Sequence, residues 1–424
     1  MSLSAFFWTK LHRSDASVGL RWAITLSVCF ALMPVLGSTI SFVILGGVVV
    51  ALAYLVLDPA RFFPLTRAEV WIAAIAIFYF LVGLIRGVLA PHPDLGFASA
   101  LSSFGFVAVL PVLPVLRYFH QPYWDAWVTR SIAVGCILSG AAAAVEVSML
   151  GRIRAEALTG NPLMMAYLTG AWTLAGAYLA LSSRGLDRWL LSFGAIMGLL
   201  SLFLSAGRGP TVGVILILSV VLAIWLARHS ESMLQLSFRL YLLLCAAVVA
   251  YVFLDSTVGV AGFFGRFQAL FDFANDPAAT NADVNLATRW VMLSAGLQAF
   301  LQAPLVGYGR QNVMQLVGNI GNLNLPFTHL HNAYLTEAVA NGIAGLLAFL
   351  ALLAAPLIAA RHAAARWRTV ALIWVCFTSI AALTNIGFGH DLKVFSYCLF
   401  ILWLNSLSAA GDSADKATRR DPNA

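Results

Sequence analysis

Residues 332–360, NAYLTEAVANGIAGLLAFLALLAAPLIAA, contain one charged side chain, Glu337, in an otherwise uncharged and mostly apolar run. A helix of this length can cross a hydrocarbon core of roughly 30 Å. Similar runs recur along the whole chain, in which 61% of the 424 residues are hydrophobic and 10% are charged. Together with a mean hydropathy of +0.88, this composition excludes a soluble globular protein. Backbone polar groups in lipid must be satisfied internally, so the runs are predicted to be α-helices.

The apolar runs predict an all-α polytopic membrane protein with about twelve transmembrane helices. These spans are predicted at 18–36, 40–57, 70–88, 97–116, 126–149, 163–182, 189–206, 211–227, 238–254, 332–360, 369–387 and 393–409. The predicted organisation is nine spans within residues 1–254, a long loop with interfacial helices at 255–330, and three spans within 331–410. A solvated, unstructured tail is predicted at 411–424, where charged residues return.

The distribution of basic residues predicts which ends of the spans face the cytoplasm. With the N-terminus inside, most of the 25 Lys and Arg residues lie on the cytoplasmic side, as the positive-inside rule requires. Both termini are therefore predicted to be cytoplasmic and the long loop to face the opposite, outer side. The formal charge of +7 is explained by such loops, and the scattered basic residues do not form a nucleic-acid-binding surface. The basic residues predicted on the outer side are mostly arginines, and the positive-inside rule does not explain their presence there.

Two short outer loops place arginines at the depth of the membrane interface. The segment Ser205-Ala206-Gly207-Arg208-Gly209-Pro210 is a tight turn between two spans. Arg208 either binds a phosphate with its planar fork or extends toward lipid headgroups. In the preceding outer loop, Arg152 and Arg154 are further candidates for an anion site, although Glu156 could equally neutralise one of them.

The long loop contains two more candidate arginines, Arg266 and Arg289. From Arg289 onward, apolar residues recur at helical spacing, which predicts an interfacial helix with Thr288 or a neighbour as N-cap and Pro304 soon after its end. An arginine at a helix N-terminus opposes the helix dipole, so stability does not explain it. Free N–H groups at the same place would favour a bound anion.

The segment His329-Leu330-His331-Asn332 lies where the chain returns to the membrane. His331 is a candidate general base because the ordinary pKa of histidine lies near operating pH. Alternatives are half of a zinc site, or a histidine simply satisfied at the interface. The zinc hypothesis is the weaker, because the outer face adds only His92 and His390. Glu337 lies six residues into the next span, where an ionisable group is expected to be catalytic or paired with an outer arginine.

The absence of several sequence motifs reduces the number of reactions that the protein could catalyse. No D-x-D, Walker A or G-x-S-x-G motif is present, and the five cysteines lie singly within apolar runs, which predicts neither a disulfide framework nor a metal site. Several arginines and one base remain, all on the outer face. This combination suits a lipid-linked diphosphate donor, whose charge the arginines stabilise while the histidine deprotonates an attacking hydroxyl.

The chain resembles the O-antigen ligase and O-antigen polymerase superfamily of bacterial inner-membrane glycosyltransferases. In addition to the twelve spans and the long loop, three motifs support the resemblance. They are Gly207-Arg208-Gly209, where the family often has Ser in place of Gly207; Arg289-Trp290 through Pro304-Leu305-Val306-Gly307-Tyr308-Gly309; and His331-Asn332-Ala333-Tyr334-Leu335 through Gly342 and Gly345. The resemblance implies a membrane-embedded, GT-C-like fold in the bacterial inner membrane, with a periplasmic active site.

The resemblance also implies a reaction and a set of site residues. An O-antigen ligase transfers polysaccharide from undecaprenyl diphosphate to a sugar hydroxyl of lipid A-core, by metal-independent inverting glycosyl transfer without a cofactor. The implied roles are catalytic base for His331, diphosphate ligands for Arg208, Arg289, Arg266 and Arg154, and supporting residues for His329, Asn332 and Glu337.

Three alternative functions remain. An O-antigen polymerase would extend chains linked to undecaprenyl diphosphate, and a protein O-oligosaccharyltransferase usually carries a large extra periplasmic domain. A polytopic transporter of lipid-linked saccharides belongs to a different class. The near absence of charge at mid-span, with arginines at one face, counts against the transporter.

Overall fold

The computed structural model describes residues 15–89, 101, 103–228, 235, 284–322, 329–385 and 387–420. Every regular element in these ranges is helical, and eight of the helices are long and apolar enough to cross a membrane. The prediction of an all-α, multi-pass membrane protein is therefore confirmed. The longer helices are α1 (Asp15–Leu36), α2 (Thr39–Leu57), α3 (Arg67–Val88), α4 (Val112–Phe119), α5 (Trp124–Ser148), α6 (Pro162–Ser182), α7 (Gly185–Ser205), α8 (Arg208–Arg228), α9 (Val284–Gln302), α10 (Val313–Gly321), α11 (Ala333–Ala359), α12 (Ala365–Ala382) and α13 (Asp391–Arg420).

Most predicted spans coincide with one of these helices, and three predictions need comment. The span predicted at 97–116 is interrupted by a turn at 109–111, where Pro111 has no N–H to donate to a helix. The span predicted at 238–254 lies outside the described residues. The prediction of an unstructured tail is wrong for residues 411–420, because α13 continues through them to Arg420.

Local sequence signals explain where several helices begin. Thr66 and Glu69 form a reciprocal capping box at the start of α3, with the Glu69 N–H donating to Thr66 Oγ1 at 3.2 Å. Asn161 caps α6 through its side-chain oxygen, and Pro162 occupies the first turn, where its missing N–H costs nothing. Asn332 caps α11 in the same way, accepting from the Leu335 N–H at 3.0 Å. The first turn of α11 is therefore held by a side chain directly after His331.

The centre of the bundle is α6, which is buried along most of its length and packs between α5, α7, α8 and α12. Small residues allow the close approach. A Cβ added at Gly140 on α5 would lie 2.5 Å from the Met197 carbonyl oxygen on α7. The hydroxyls of Ser139 on α5, Thr169 on α6 and Ser201 on α7 form hydrogen bonds of 2.7–3.5 Å with one another. Small residues and interhelical hydroxyl bonds are the usual means of packing helices in lipid, where no hydrophobic force drives association.

One end of the bundle, which we call the site end, brings together the α7–α8 turn, the loop between α12 and α13, and the start of α11. A Cβ at Gly209 would overlap Thr384 Oγ1, and one at Gly387 would lie 3.0 Å from the Ala333 Cβ. The opposite end is fixed by ion pairs, including Arg117 with Glu69 at 2.9 Å. Segments far apart in sequence therefore meet at the site end.

Candidate active site

The helix α11 is broken near its start, and the P-L-x-G-x-G segment 304–309 fills the break. Gly342 has φ +65° and ψ −162°, a conformation open essentially only to glycine. Gly307, at φ +62°, approaches so closely that an added Cβ would lie 2.6 Å from the Ala340 carbonyl. Three main-chain hydrogen bonds join the two segments: Tyr308 N to Val339 O at 2.9 Å, Gly309 N to Ala340 O at 2.8 Å, and Ile343 N to Pro304 O at 2.8 Å.

These hydrogen bonds explain why a break is tolerated within an apolar helix. A kink leaves main-chain carbonyl and N–H groups without helical partners, and such groups cost free energy when buried. The inserted segment supplies the missing donors and acceptor, so the irregular backbone is enclosed by protein. The two family-like motifs at 304–309 and at Gly342 are therefore halves of one structural unit.

The segment that fills the break delivers Arg310 to Glu337. The two side chains form an ion pair in which the arginine is 18% exposed and the carboxylate 3% exposed. Tyr79 on α3 donates to the same carboxylate at 3.0 Å, and Asn341 donates to its other oxygen at 3.1 Å. Of the two hypotheses for Glu337, the structure supports pairing with an outer arginine. The sequence did not single out Arg310 as the partner.

The two histidines lie side by side just before α11. Their ring centroids are 4.5 Å apart, and His331 adopts a left-handed backbone conformation with φ +52°, which is uncommon outside glycine. Between them, Leu330 is fully buried against α9, α10 and α11. The buried leucine and the cap made by Asn332 hold the segment on both sides of His331, so the backbone of the candidate base is fixed in place.

The helix α9 places Arg289 next to these histidines. Gly296 lets α9 approach closely, since an added Cβ would lie 2.9 Å from both Leu330 and Leu335 side chains. Arg289 precedes Gly296 by about two helical turns and therefore lies on the same face. The prediction that Arg289 begins this helix is wrong, because α9 begins at Val284. Residues 284–288 contain no Gly or Pro that would interrupt the helix. Arg289 therefore lies in the second turn of α9, beyond the free N–H groups at the helix start.

The pKa values of both histidines are lowered. Burial is the main cause for His331, and the charge of Arg289 adds to it, bringing the pKa to about 4. The pKa of His329 is also lowered to about 4, by burial and then by the charges of His331, Lys393, Arg289 and Arg310. Both effects disfavour the imidazolium. At neutral pH His331 is therefore uncharged and able to accept a proton.

A second group of residues surrounds the tight turn between α7 and α8. Arg154 donates to the Ser205 carbonyl at 3.0 Å and to the Ala206 carbonyl at 3.3 Å. Ala206 is left-handed, with φ +51°, and Arg208 is the first residue of α8. The neighbouring Arg152 instead pairs with Glu146 and Glu156. Arg154 thus holds the turn that carries Arg208, whereas Arg152 is neutralised by carboxylates.

The structure brings most of the candidate residues to the site end, in two groups. His329, His331 and Arg289 form one group, and Arg154 with the start of α8 forms the other. The loop at 383–390 joins them, since its residues contact both Gly209 and Ala333. Arg266 lies outside the described residues. In the described ranges, no group of three or more His, Cys, Asp or Glu side chains is arranged to hold a metal ion.

The fold and this site define a multi-pass membrane protein with arginines and a neutral histidine gathered at one end of its helices. Residues 193–350 match the family model described as O-Antigen ligase, which confirms the resemblance to that superfamily over these residues. The matched stretch begins within α7 and ends within α11, so it includes Arg208, Arg289 and His331. No curated protein matches the chain. The family match supports a glycosyltransferase-like activity of the O-antigen ligase or polymerase type.

Proposed function

We propose that this protein is an O-antigen ligase, which transfers polysaccharide from undecaprenyl diphosphate to a sugar hydroxyl of lipid A-core. The observation that carries the proposal is that α9 packs on the segment around Leu330 and so places Arg289 near His331 at the site end, within the stretch that matches the family. The proposed location is the bacterial inner membrane, with both termini cytoplasmic and the site end in the periplasm.

The proposed chemistry divides between the base and the cations. His331 takes the proton from the acceptor hydroxyl as that oxygen attacks the anomeric carbon of the donor sugar. The bond from this carbon to the diphosphate oxygen breaks, and the electron pair leaves with undecaprenyl diphosphate. Attack from the face opposite the leaving group inverts the anomeric configuration. Arg208, Arg289 and Arg266 stabilise the charge that develops on the diphosphate.

Arg154, His329 and Asn332 are assigned supporting roles on the basis of their contacts. Arg154 donates to the carbonyls of the turn before Arg208, and these contacts place a further donor-binding cation beside the start of α8. Asn332 fixes the start of α11 next to His331. His329 packs against His331 and helps to keep it away from water. Glu337 acts through Arg310, by holding the 304–309 segment in the break of α11.

The closure of the break in α11 argues against the transporter alternative. Transporters place broken helices around a central substrate cavity, where unwound backbone groups contact the substrate. In this chain the backbone groups freed at Gly342 are bonded to the 304–309 segment. The break therefore supports a fixed scaffold for the site, as a transferase requires.

The test is an in vitro transfer assay on the purified full chain in lipid nanodiscs with EDTA. The protein receives an undecaprenyl diphosphate-linked glycan together with lipid A-core, and the products are separated and weighed by mass spectrometry. The proposal predicts glycan joined to lipid A-core and free undecaprenyl diphosphate. Longer lipid-linked chains with lipid A-core unchanged would mean a polymerase. An intact donor with no new glycosidic product would contradict both transferase functions.

A further inference from the structure

The loop between α5 and α6 displays three large apolar side chains close together. Met149, Leu150 and Ile153 are 77%, 65% and 96% exposed. None of them belongs to the candidate site described above. Single exposed apolar side chains are ordinary on any protein, whereas a group of them marks a surface that contacts something else. These three side chains therefore require an explanation of their own.

The backbone of this loop is fixed to two helices. Near the end of α5, the Glu146 carboxylate accepts hydrogen bonds from the Glu156 and Ala157 N–H groups at 2.8 and 2.9 Å. The Ala155 N–H donates to the Leu204 carbonyl on α7 at 2.9 Å. Turning the apolar side chains inward would break these hydrogen bonds and leave polar groups without partners. The exposure of the three side chains is therefore a property of the fold.

The lipid-facing side of α5 leads directly to these residues. Leu138 and Val145 are exposed apolar residues of α5, and their spacing from Met149 places all three on one face of the helix. Because α5 is long and apolar enough to cross a membrane, this face contacts lipid. With 25 residues, α5 is about 37 Å long, which exceeds a hydrocarbon core of roughly 30 Å. Met149, the C-cap of α5, therefore lies at the membrane interface, and the lipid-facing surface continues from α5 onto the loop.

The charges beside the apolar side chains are compensated within the protein. Arg152 forms ion pairs with Glu146 and Glu156. Charged groups at membrane depth are tolerated where they pair with one another. This pairing lowers the cost of placing the loop against lipid, so the apolar side chains decide what the surface contacts.

We propose that residues 149–153 form an interfacial anchor, in which Met149, Leu150 and Ile153 insert among the phospholipid acyl chains of the leaflet at the site end. Burial favours the inserted state by roughly tenfold or more for each fully buried side chain. The adjacent Arg154 donates to the carbonyls of Ser205 and Ala206. The anchor thus sets the depth in the membrane at which the turn before α8 is held.

The test is photo-crosslinking in the full chain, with p-benzoylphenylalanine in place of Ile153, in nanodiscs of a single phospholipid. On illumination the probe attaches to a neighbouring C–H bond, and intact-mass spectrometry identifies the adduct. The same probe at Val145, on the lipid-facing side of α5, is the lipid reference. The probe at position 417 is the water reference, because the backbone of α13 rises about 39 Å between Asp391 and this residue.

A phospholipid adduct at position 153 as abundant as at position 145, with little at position 417, supports the anchor. No phospholipid adduct at position 153 would overturn it, because the loop would then face water. A covalent link to a second copy of the chain in place of phospholipid would also overturn it and make the loop an interface between copies.

A second measurement places the probe at Leu150 and changes Ile153. In Ile153→Asp the added charge should draw the loop out of the leaflet and reduce the phospholipid adduct at position 150. The matched control, Ile153→Val, keeps an apolar side chain and should retain the adduct. An undiminished adduct at position 150 in Ile153→Asp would contradict insertion of the three side chains as one unit.

Discussion

Substitution of Gly342 offers the sharpest test of the architecture, because one added methyl group would be incompatible with the break in α11. The backbone of Gly342 has φ +65° and ψ −162°, and an added Cβ would overlap the Leu305 carbonyl oxygen. In Gly342→Ala, retaining this conformation costs about 1–3 kcal/mol of backbone strain, before the overlap is relieved. Straightening the helix instead would leave the Tyr308 and Gly309 N–H groups and the Pro304 carbonyl without hydrogen-bond partners. Each of these groups costs about 1–3 kcal/mol of stability when it is buried and unpaired.

Retaining the conformation of Gly342→Ala therefore costs about 1 kcal/mol or more, and straightening the helix costs about 3 kcal/mol or more. Both responses displace the segment that carries Arg310. The matched control is Gly83→Ala in α3, where an added Cβ meets no atom within 4 Å. That substitution should be neutral or stabilise by about 0.4–1 kcal/mol.

The assay is thermal unfolding in detergent, followed by tryptophan fluorescence at one fixed scan rate because membrane proteins commonly unfold irreversibly. Gly342→Ala should unfold several degrees below the wild type and lose most glycan transfer, while Gly83→Ala should match the wild type in both. A Gly342→Ala protein with unchanged unfolding temperature and turnover would refute the broken helix and the role given to the 304–309 segment.

Three further predictions concern charges at the site end. Glu337→Gln leaves the buried Arg310 cation without its anion and should cost about 3–5 kcal/mol; the double variant Arg310→Met/Glu337→Gln should recover most of this loss in thermal unfolding, and additive losses would contradict the pairing. Because the pKa of His331 is lowered to about 4, its neutral form persists as pH falls from 7, so kcat should decline only as pH approaches 4. The variant Arg289→Gln removes a charge that opposes protonation of His331 and should move this decline to higher pH. A decline of kcat centred near pH 6.5 in the wild type would contradict the burial of His331. Arg154→Gln should raise KM for the donor by loosening the turn before α8. Arg152→Gln removes the ion pairs of a half-exposed arginine with Glu146 and Glu156, which are worth about 1 kcal/mol or less each, and should leave KM unchanged.

The membrane helices could be predicted well from the sequence because hydropathy and span length are direct consequences of the bilayer. Predictions were least accurate at helix ends, where single residues decide. Pro111 ends a helix within a run that is otherwise apolar enough to span. The opposite error occurred at Val284, where a helix begins earlier than the apolar pattern that starts at Arg289.

The candidate site could be predicted as a set of residue types, whereas its pairings could not. Glu337 was expected to be catalytic or paired, and several outer arginines were equivalent partners in the sequence. The choice of Arg310 depends on the 304–309 segment entering the break at Gly342, a tertiary contact between residues far apart in the chain. The G-x-x-G spacing at Gly342 and Gly345 alone is equally compatible with close helix packing.

The most direct test of the central claim compares wild type with His331→Ala in nanodiscs, each supplied with undecaprenyl diphosphate-linked glycan and lipid A-core. The rates of glycan transfer and of undecaprenyl diphosphate release are measured together, with binding of undecaprenyl diphosphate as a check that the site is intact. The account predicts that His331→Ala binds the lipid diphosphate but loses roughly 10²–10⁴-fold in both rates, as expected for removal of a general base. Transfer by His331→Ala at the wild-type rate would contradict the account.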